Sequence, residues 1–406
     1  MSKCNTKLHV GTDVSNKSID LFETKTQGGQ TVIKYNFDLY IGADVSDKLI
    51  ELFALSANGR GEKSWQIANS RKAILEFCDS IKDPSRTLIA METGTHSAWQ
   101  SELLEKGGFK VVVGDARKLA AVWMSKNKSD RKDAEMLARL VRSDIKLFCP
   151  IRHISTSVRA DLAVVKTRDA VSKCRTKLMN TVRGLLRSFG VDTSEITTDN
   201  FTLEASKVIP AALRPAMTGI LKEIRSMQLA IKAYDKQVTK LNKKYPDTVK
   251  VGQPGGVGEL TALAYVLIIE DPKRFSDGSR VGKYLGITPK RDQSGNVDKQ
   301  LSITKEGNNL MRWLLVQSAN YIMGRGPDCD LRRFGERIAA RGGKIAKRKA
   351  KVAVARKLAA LMHKLWITGE VYDPDYKAHC KEQRQKKEAE KKNKAEMSEQ
   401  LIPQTV

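Results

Sequence analysis

The residues best suited to chemistry lie in the segment KNKSDRKDA, residues 126–134, where Asp130 and Asp133 stand three apart. If a helix begins here, this spacing places both carboxylates on one face. Two like charges there raise each other's pKa unless a cation lies between them, and a hard divalent ion bound by oxygens meets that need. A plain helix start, with Ser129 as N-cap and acids favoured by the helix dipole, explains the pattern equally well. The basic neighbours of the pair are Lys126, Lys128, Arg131, Lys132 and Arg139.

Two further acids fall where buried strands are predicted to end. The run TLIAMETG predicts a strand over 87–92 that ends at Glu92, and YIGADVS predicts one that ends near Asp44. A helix over about 96–106 and a strand FKVVV follow Glu92. This alternation is typical of a sheet with parallel members, whose functional groups gather at the carboxyl ends of strands. Four carboxylates could therefore converge, although an Asp at a strand end is ordinarily a turn former.

The first sixty residues contain an internal repeat, because HVGTDVSNKSIDLFE at 9–23 is echoed by YIGADVSDKLIELFA at 40–54. The equivalent acids are Asp13 and Asp44. Only the second copy continues into a full α/β unit, with a strand KSWQIAN and a helix RKAILEFCDSI. We therefore assign Asp44 to the site and interpret residues 1–39 as an extension with a partial duplicate of the first strands.

The composition indicates a polyanionic partner. In 406 residues, 72 Lys and Arg face 46 Asp and Glu, which leaves a formal net charge of +26. Nucleic acid is the leading candidate for such a basic chain, and Lys126, Lys128 and Arg131 beside the paired acids are candidates for binding it. The six cysteines show no CxxC spacing, so neither a zinc site nor a disulfide framework is indicated. No apolar run reaches the roughly 18 residues of a membrane span, and the chain starts without a signal-peptide core, so we expect a cytoplasmic protein with no membrane partner.

The second half of the chain is predicted to be mainly helical. Heptad-like apolar spacing within residues 151–250 predicts two long helices that form a hairpin or coiled coil. Within 251–370, the run IAKRKAKVAVARKLAALMHKLW predicts a basic amphipathic helix suited to phosphate contact, which makes Lys347, Arg348, Lys349 and Lys351 candidates for nucleic-acid binding. The charged residues 371–406 are predicted to be a frayed helix or disordered.

A polar loop TPKRDQSGN is expected at 288–296 and places Ser294 before a glycine. A Ser-Gly pair in a loop is a turn by default, and the residues alone give little reason to prefer a nucleophile there.

Taken in order, D…E…D-x-x-D, PGGVG, GITPKRDQSG, SITKEGNNLMRWLLVQSA and KVAVARKLA resemble the motifs of DEDD-type insertion-sequence transposases. These are the bridge-RNA-guided serine recombinases that also include the pilin-gene invertase, and the resemblance spans about 40–370. It implies an α/β plus α architecture, with a RuvC-like (RNase H-like) mixed sheet over 40–150, the helical hairpin, and a mainly helical transposase domain over 251–370. The partial duplicate at the N-terminus and the basic tail depart from the family pattern.

The resemblance also implies roles for residues. Asp44, Glu92, Asp130 and Asp133 would bind Mg²⁺, with Mn²⁺ as an alternative ion, and Ser294 would be the nucleophile that joins DNA covalently. Lys290 and Arg291 would add positive charge near it. A structured guide RNA would pair with donor and target duplexes, and holding two duplexes implies a homodimer or homotetramer in a bacterial or archaeal nucleoid. The competing hypothesis is a Mg²⁺-dependent, Holliday-junction-like endonuclease that forms no covalent intermediate.

Overall fold

The computed structural model describes residues 22–27, 30–35, 37–120, 129–294, 297–383, 385–386 and 388. They divide into two compact units, the first ending at Thr156 and the second beginning at Ser157. The domain boundaries expected from the sequence are finer than this division and stay predictions.

The first unit is built on a mixed sheet. Its strands are β1 (Phe22–Gln27), β2 (Gln30–Tyr35), β3 (Leu39–Val45), β4 (Leu49–Ser56), β5 (Gly61–Ala68), β6 (Thr87–Glu92), β7 (Lys110–Gly114) and β8 (Pro150–Ile151). Its helices are α1 (Arg71–Ser80), α2 (Ser97–Lys106), α3 (Ala116–Leu119) and α4 (Asp130–Ser143). Six strands form one sheet in the order β5, β4, β3, β6, β7, β8, and only the β3–β6 and β6–β7 pairs are parallel. The pair β1 and β2 forms a separate antiparallel ladder.

Both faces of the central strands are buried, as the near-continuous apolar runs of β3 and β6 require. On one face, Tyr40 of β3 and Leu88 of β6 belong to a core that includes Ala134, Leu137 and other residues of α4. On the other face, Ile41 and Ile89 belong to a second core with residues of α1 and α2. The sheet is therefore a layer between helices, with α4 and Leu119 of α3 on the face of Tyr40 and Leu88.

The second unit is largely helical. Its helices are α5 (Thr156–Ser188, whose first residue closes the first unit), α6 (Phe201–Val208), α7 (Arg214–Lys244), α8 (Asp247–Val251), α9 (Glu259–Ile269), α10 (Gly278–Tyr284), α11 (Asn309–Gly324), α12 (Asp330–Ala339) and α13 (Gly343–Thr368). Its strands are β9 (Pro289–Ser294) and β10 (Val297–Ile303), which pair as an antiparallel hairpin.

The long helices α5 and α7 run antiparallel, as their apolar spacing predicted. Near the start of α5, the carboxylate of Asp161 accepts a hydrogen bond from Lys244 Nζ at 2.6 Å, at the end of α7. Two turns further along α5, the guanidinium of Arg168 lies 2.5 Å from the Asp235 carboxylate. At the other end, an apolar cluster joins α5, α6 and α7. The segment from 157 to 244 is therefore a helical hairpin closed by α6 and its flanking turns.

Helices α9, α11 and α13 form the core of the C-terminal part of this unit. Every residue of α9 from Thr261 to Ile269 is buried, and the hydroxyl of Tyr265 donates to the carbonyl of Ala359 on α13 at 2.8 Å. The predicted architecture, a mixed sheet with helices followed by a largely helical domain, is confirmed.

Two expectations concerned the ends of the chain. Residues 376–383 are helical, and the segment before them is tied to α12, because the Asp330 amide donates to the carbonyl of Pro374 at 2.8 Å. The start of the tail is therefore helical. Asp13 and the rest of the first copy before Phe22 lie outside the described residues. Among the helices that the structure describes, none is long and apolar enough to cross a bilayer.

Candidate active site

The carboxyl ends of β3 and β6 bring Asp44 and Glu92 side by side. In the parallel ladder Ala43 pairs with Met91, so the same register places Asp44 opposite Glu92, on strands about 4.8 Å apart. Side chains alternate along a strand, and Tyr40 and Leu88 face α4. Asp44 and Glu92 therefore lie on the α4 side of the sheet as well, at the edge where parallel strands end.

Helix α4 brings the other two acids to this edge. Ser129 is its N-cap and accepts a hydrogen bond from the Lys132 amide at 3.4 Å, and Asp130 and Asp133 lie in the first turn. The two interpretations of the sequence pattern, a pair of metal-binding acids and a capped helix start, are thus compatible, because the capped first turn itself contains both acids.

Gly42 lets α4 lie directly on β3. A Cβ built at Gly42 would come within 1.9 Å of the Ala134 carbonyl oxygen and 2.6 Å of the Ala138 nitrogen. Only a residue without a side chain allows this approach, since backbone atoms on both sides leave no room. The close contact fixes the first turn of α4 near the end of β3, where Asp44 stands two residues beyond Gly42.

The electrostatics of Asp44 report this proximity. Burial raises its pKa to about 6, and the negative charges of Asp130 and Asp133 contribute in the same direction. A hydrogen bond from the Val45 amide opposes the rise but does not cancel it. The corner made by these three acids is therefore short of positive charge at neutral pH, as a cation-binding corner would be.

The donor chemistry of this corner suits a hard divalent cation, since carboxylate oxygens are what Mg²⁺ prefers. As the side chains stand, however, no set of three His, Cys, Asp or Glu residues within the described ranges is arranged to hold a metal. The residues fit the ion by type and by the charge deficit at Asp44.

The basic residues predicted to flank the acids are described in part. Arg131 is exposed on the first turn of α4. Lys126 and Lys128 lie outside the described residues. One cation of the neighbouring turn is already engaged, because Arg139 donates to Glu135 at 2.6 Å.

Ser294 lies in the second unit, and the structure corrects its expected setting. The sequence 288–296 was expected to form a loop, but residues 289–294 form β9 of the hairpin, and Ser294 is its exposed last residue, paired with Val297. The signal that predicts this is Gly295-Asn296 between two polar runs, since a two-residue Gly-Asn linker is typical of a hairpin. These two linker residues lie outside the described part of the chain.

The hairpin separates the basic residues around Ser294 into two groups. Directly opposite residues of an antiparallel pair share a face, and Asp292 pairs with Lys299. Lys290, Asp292 and Lys299 therefore lie on the face of Ser294. Arg291 lies on the other face, where it contacts Asp298 at 2.6 Å. Sequence reasoning named Arg291 and missed Lys299, because without the strand register nothing relates position 299 to 294.

The basic helix is α13. Lys347, Arg348, Lys349 and Lys351 are all exposed, whereas Ala346, Ala350 and Val354 on the same helix are buried. The helix is thus packed on one side, with a cationic surface left toward solvent, as its sequence pattern predicted.

Comparison with known proteins finds two family models that match segments of this chain. The model of DEDD transposases of the IS110 type matches residues 41–190, and the model described as "Transposase IS116/IS110/IS902 family" matches residues 253–332. A Sinorhizobium fredii protein named as a transposase, y4pF/y4sB, is 26% identical over 312 residues, 75% of this chain and 78% of its own length. The transposase for insertion sequence element IS1111A of Coxiella burnetii is 28% identical over 208 residues, 50% of this chain and 56% of its own.

Both matches fall on transposase models, so the mixed sheet with its helices and the largely helical second unit belong to a transposase, a DNA phosphoryl-transfer enzyme. The two matched segments together cover more than half of the chain, in the family's order. The chain belongs to the IS110/IS116/IS902 family of DEDD transposases and is the transposase of an insertion sequence. Membership of the DEDD class implies the use of a divalent metal. The first match starts at residue 41, so it includes Asp44 and leaves out the first copy of the N-terminal repeat.

Proposed function

We propose that this transposase cuts and rejoins DNA through a covalent bond between Ser294 and a DNA phosphate, with Mg²⁺ held by Asp44, Glu92, Asp130 and Asp133. The metal-binding part of the proposal is supported by the acidic corner at the ends of β3 and β6. There, three backbone elements present four carboxylates, and the pKa of Asp44 is raised to about 6.

The proposed step forms one bond and breaks one. Ser294 Oγ attacks the phosphorus of a phosphodiester, the P–O bond to one sugar breaks, the serine proton leaves Oγ, and the departing sugar oxygen takes up a proton. Rejoining is the reverse attack by the hydroxyl of another strand, which frees the serine. Because the phosphoserine ester keeps the energy of the broken bond, no external energy source is needed. A bound Mg²⁺, or Mn²⁺ in its place, would supply electrophilic stabilisation of the phosphate oxygens.

The chain's own residues would act on the phosphate from the hairpin. Lys299 and Lys290 lie on the same hairpin face as Ser294, and a lysine side chain is long enough to reach a diagonal neighbour. Their ammonium groups would offset the negative charge that builds up on the phosphoryl oxygens. Arg291 is turned away and paired with Asp298, so a smaller role is expected for it.

Sequence choice is proposed to come from a structured guide RNA that pairs with donor and target DNA. The support is the family resemblance and the basic surface, with a formal net charge of +26 and the exposed cations of α13. Phosphate contacts of that kind fix position without reading sequence, which suits a protein that leaves recognition to base pairing. Handling two duplexes implies a homodimer or homotetramer.

Denaturing electrophoresis tests the proposal. Purified protein is incubated with labelled DNA, the RNA of its element and Mg²⁺, and a covalent protein–DNA band is expected from wild type. Ser294→Ala should abolish the band, while Ser302→Ala, an exposed serine on the partner strand of the same hairpin, should retain it. If Ser294→Ala still nicks DNA with Mg²⁺ and no variant gives a covalent band, the chain works as an endonuclease and the serine proposal fails.

A further inference from the structure

A second group of cations lies apart from the serine hairpin and from the exposed lysines of α13. It comprises Arg337 of α12, Lys357 of α13 and Lys377 of the helical segment that follows. All three are exposed, and Arg337 and Lys377 line an open concavity of about 630 Å³. Arg337 and Lys377 therefore present positive charge from two elements that line the hollow, and Lys357 lies on a third element, close to both of these cations.

The hollow has a rigid wall. The guanidinium of Arg333 contacts Asp328 at 2.5 Å and Asp330 at 3.3 Å, and it also donates to Asp375. The Lys377 amide donates to the second carboxylate oxygen of Asp330 at 2.9 Å. These contacts join α12 to the start of the tail and hold the backbone of Lys377 beside α12.

Lys357 is held in place by an aromatic ring. Its ammonium lies 4.2 Å from the centre of the Phe334 ring on α12, a cation–π contact. Although the residue is exposed, partial burial of its ammonium lowers the pKa of Lys357, and the positive charges of Lys377, Arg337 and Arg356 lower it further. These cations are therefore close enough to repel one another, and Asp330 opposes that repulsion only in part.

The acids that line the hollow are already engaged. Asp330 binds Arg333 and the Lys377 amide, and Glu336 accepts from Arg332 Nε at 2.9 Å. In contrast, within the described part of the chain, Arg337, Lys357 and Lys377 form no ion pair with a carboxylate. The surplus positive charge at the hollow thus comes from Arg337 and Lys377, with Lys357 beside them, which is the arrangement that an anion would complete.

We propose that Arg337, Lys357 and Lys377 form a binding site for the phosphodiester backbone of a nucleic acid, separate from the serine hairpin. The hollow is open and wide rather than deep, so it suits a phosphate on a polymer better than an enclosed small anion. A guanidinium and two ammonium groups are the donors that phosphate oxygens accept. The backbone of DNA and that of RNA share this chemistry, and the experiment distinguishes them.

The test measures the salt dependence of binding in the full chain carrying Ser294→Ala, so that strand cleavage cannot interfere. Fluorescence anisotropy follows titrations of a labelled DNA duplex and a labelled RNA hairpin between low and moderate salt. Neutralising Arg337 and Lys377 together, as Arg337→Gln with Lys377→Gln, removes two cations without touching the Phe334 contact. The matched control is Lys82→Gln with Lys110→Gln, two exposed lysines near the amino ends of the strands in the first unit.

Each lost phosphate contact lowers the slope of log K against log salt by about 0.9 for duplex DNA and about 0.7 for single strands. The double variant should therefore lose roughly 1.4 to 1.8 units of slope with at least one polymer, and the polymer that responds is the ligand. The control should leave both slopes unchanged. Equal slopes for the double variant and wild type with both polymers would overturn the site, as would competition at low millimolar inorganic phosphate, which would show a free-anion site instead. Failure of the serine as nucleophile would leave these slopes unaffected.

Discussion

Asp44→Asn is expected to stabilise the metal-free first unit at neutral pH. The folded-state pKa of Asp44 is raised from 3.8 to about 6 by burial and by Asp130 and Asp133. Between those values the unfolded chain releases its proton while the folded chain keeps it, so stability falls as pH rises through this window and the penalty is complete above it. An asparagine carries no charge and can still accept the Val45 hydrogen bond, so the variant escapes the penalty.

The magnitude follows from the shift. A rise from 3.8 to about 6, at ~1.36 kcal/mol for each pKa unit, sets an upper limit of about 3 kcal/mol. Because the carboxylate is only part-buried, solvent screening reduces the expected gain to about 1–2 kcal/mol at pH 7.5. At pH 4.5 the gain in stability should shrink to about a third of that value, since most of the pH range between the two pKa values of Asp44 lies above pH 4.5.

The assay is urea unfolding read by pulsed hydrogen exchange at the peptides of β3 and β6, which assigns the signal to the sheet. Asp79→Asn, an exposed acid at the end of α1, is the control and should change nothing. Added Mg²⁺ should reverse the order of stability of the two proteins, because it should stabilise wild type more than Asp44→Asn. A variant that is less stable than wild type at pH 7.5, or a gain that does not depend on pH, would refute the crowding of charges at this corner.

Three further outcomes are expected. Gly42→Ala should lower the free energy of unfolding by about 3 kcal/mol or more, because the added Cβ would overlap the Ala134 carbonyl. Gly94→Ala is the control: a Cβ there would have no atom within 4 Å, so in the same urea experiment the loss should be under about 0.5 kcal/mol. Lys299→Ala should slow formation of the covalent band about tenfold, equivalent to ~1.4 kcal/mol, while Arg291→Ala, on the other hairpin face, should change it less than about threefold in a timed gel assay. Glu92→Gln should raise the Mg²⁺ concentration for half-maximal covalent band by about tenfold or more, and an unchanged requirement would remove Glu92 from the metal site.

Much of the first unit is predictable from its sequence, because local pattern and tertiary structure agree there. The strand TLIAME corresponds to β6, and the helix expected over about 96–106 is α2 at Ser97–Lys106. Asp44 and Glu92 could be placed at one edge since parallel strands end together. The contact of α4 with Gly42 could not be predicted, because close packing of a helix on a glycine depends on residues far apart in sequence.

The serine region was predictable only in part. Polar residues dominate PKRDQS, so no alternation of apolar and polar residues marks β9, and the strand exists because β10 pairs with it. The face shared by Ser294 and Lys299 follows from that register alone. The ordered start of the tail depends in the same way on distant partners, since carboxylates on both sides of α12 bind Arg333.

The most direct test of the account is to identify the residue that carries DNA after the reaction. Trypsin should release DQSGNVDK, residues 292–299, in which Ser294 is the only hydroxyl-bearing side chain. After nuclease digestion of the covalent complex, mass spectrometry should find this peptide with one added nucleotide phosphate, only when Mg²⁺ was present. Nucleotide attached to a different peptide, or cleaved DNA ends with no attached peptide at all, would contradict the account.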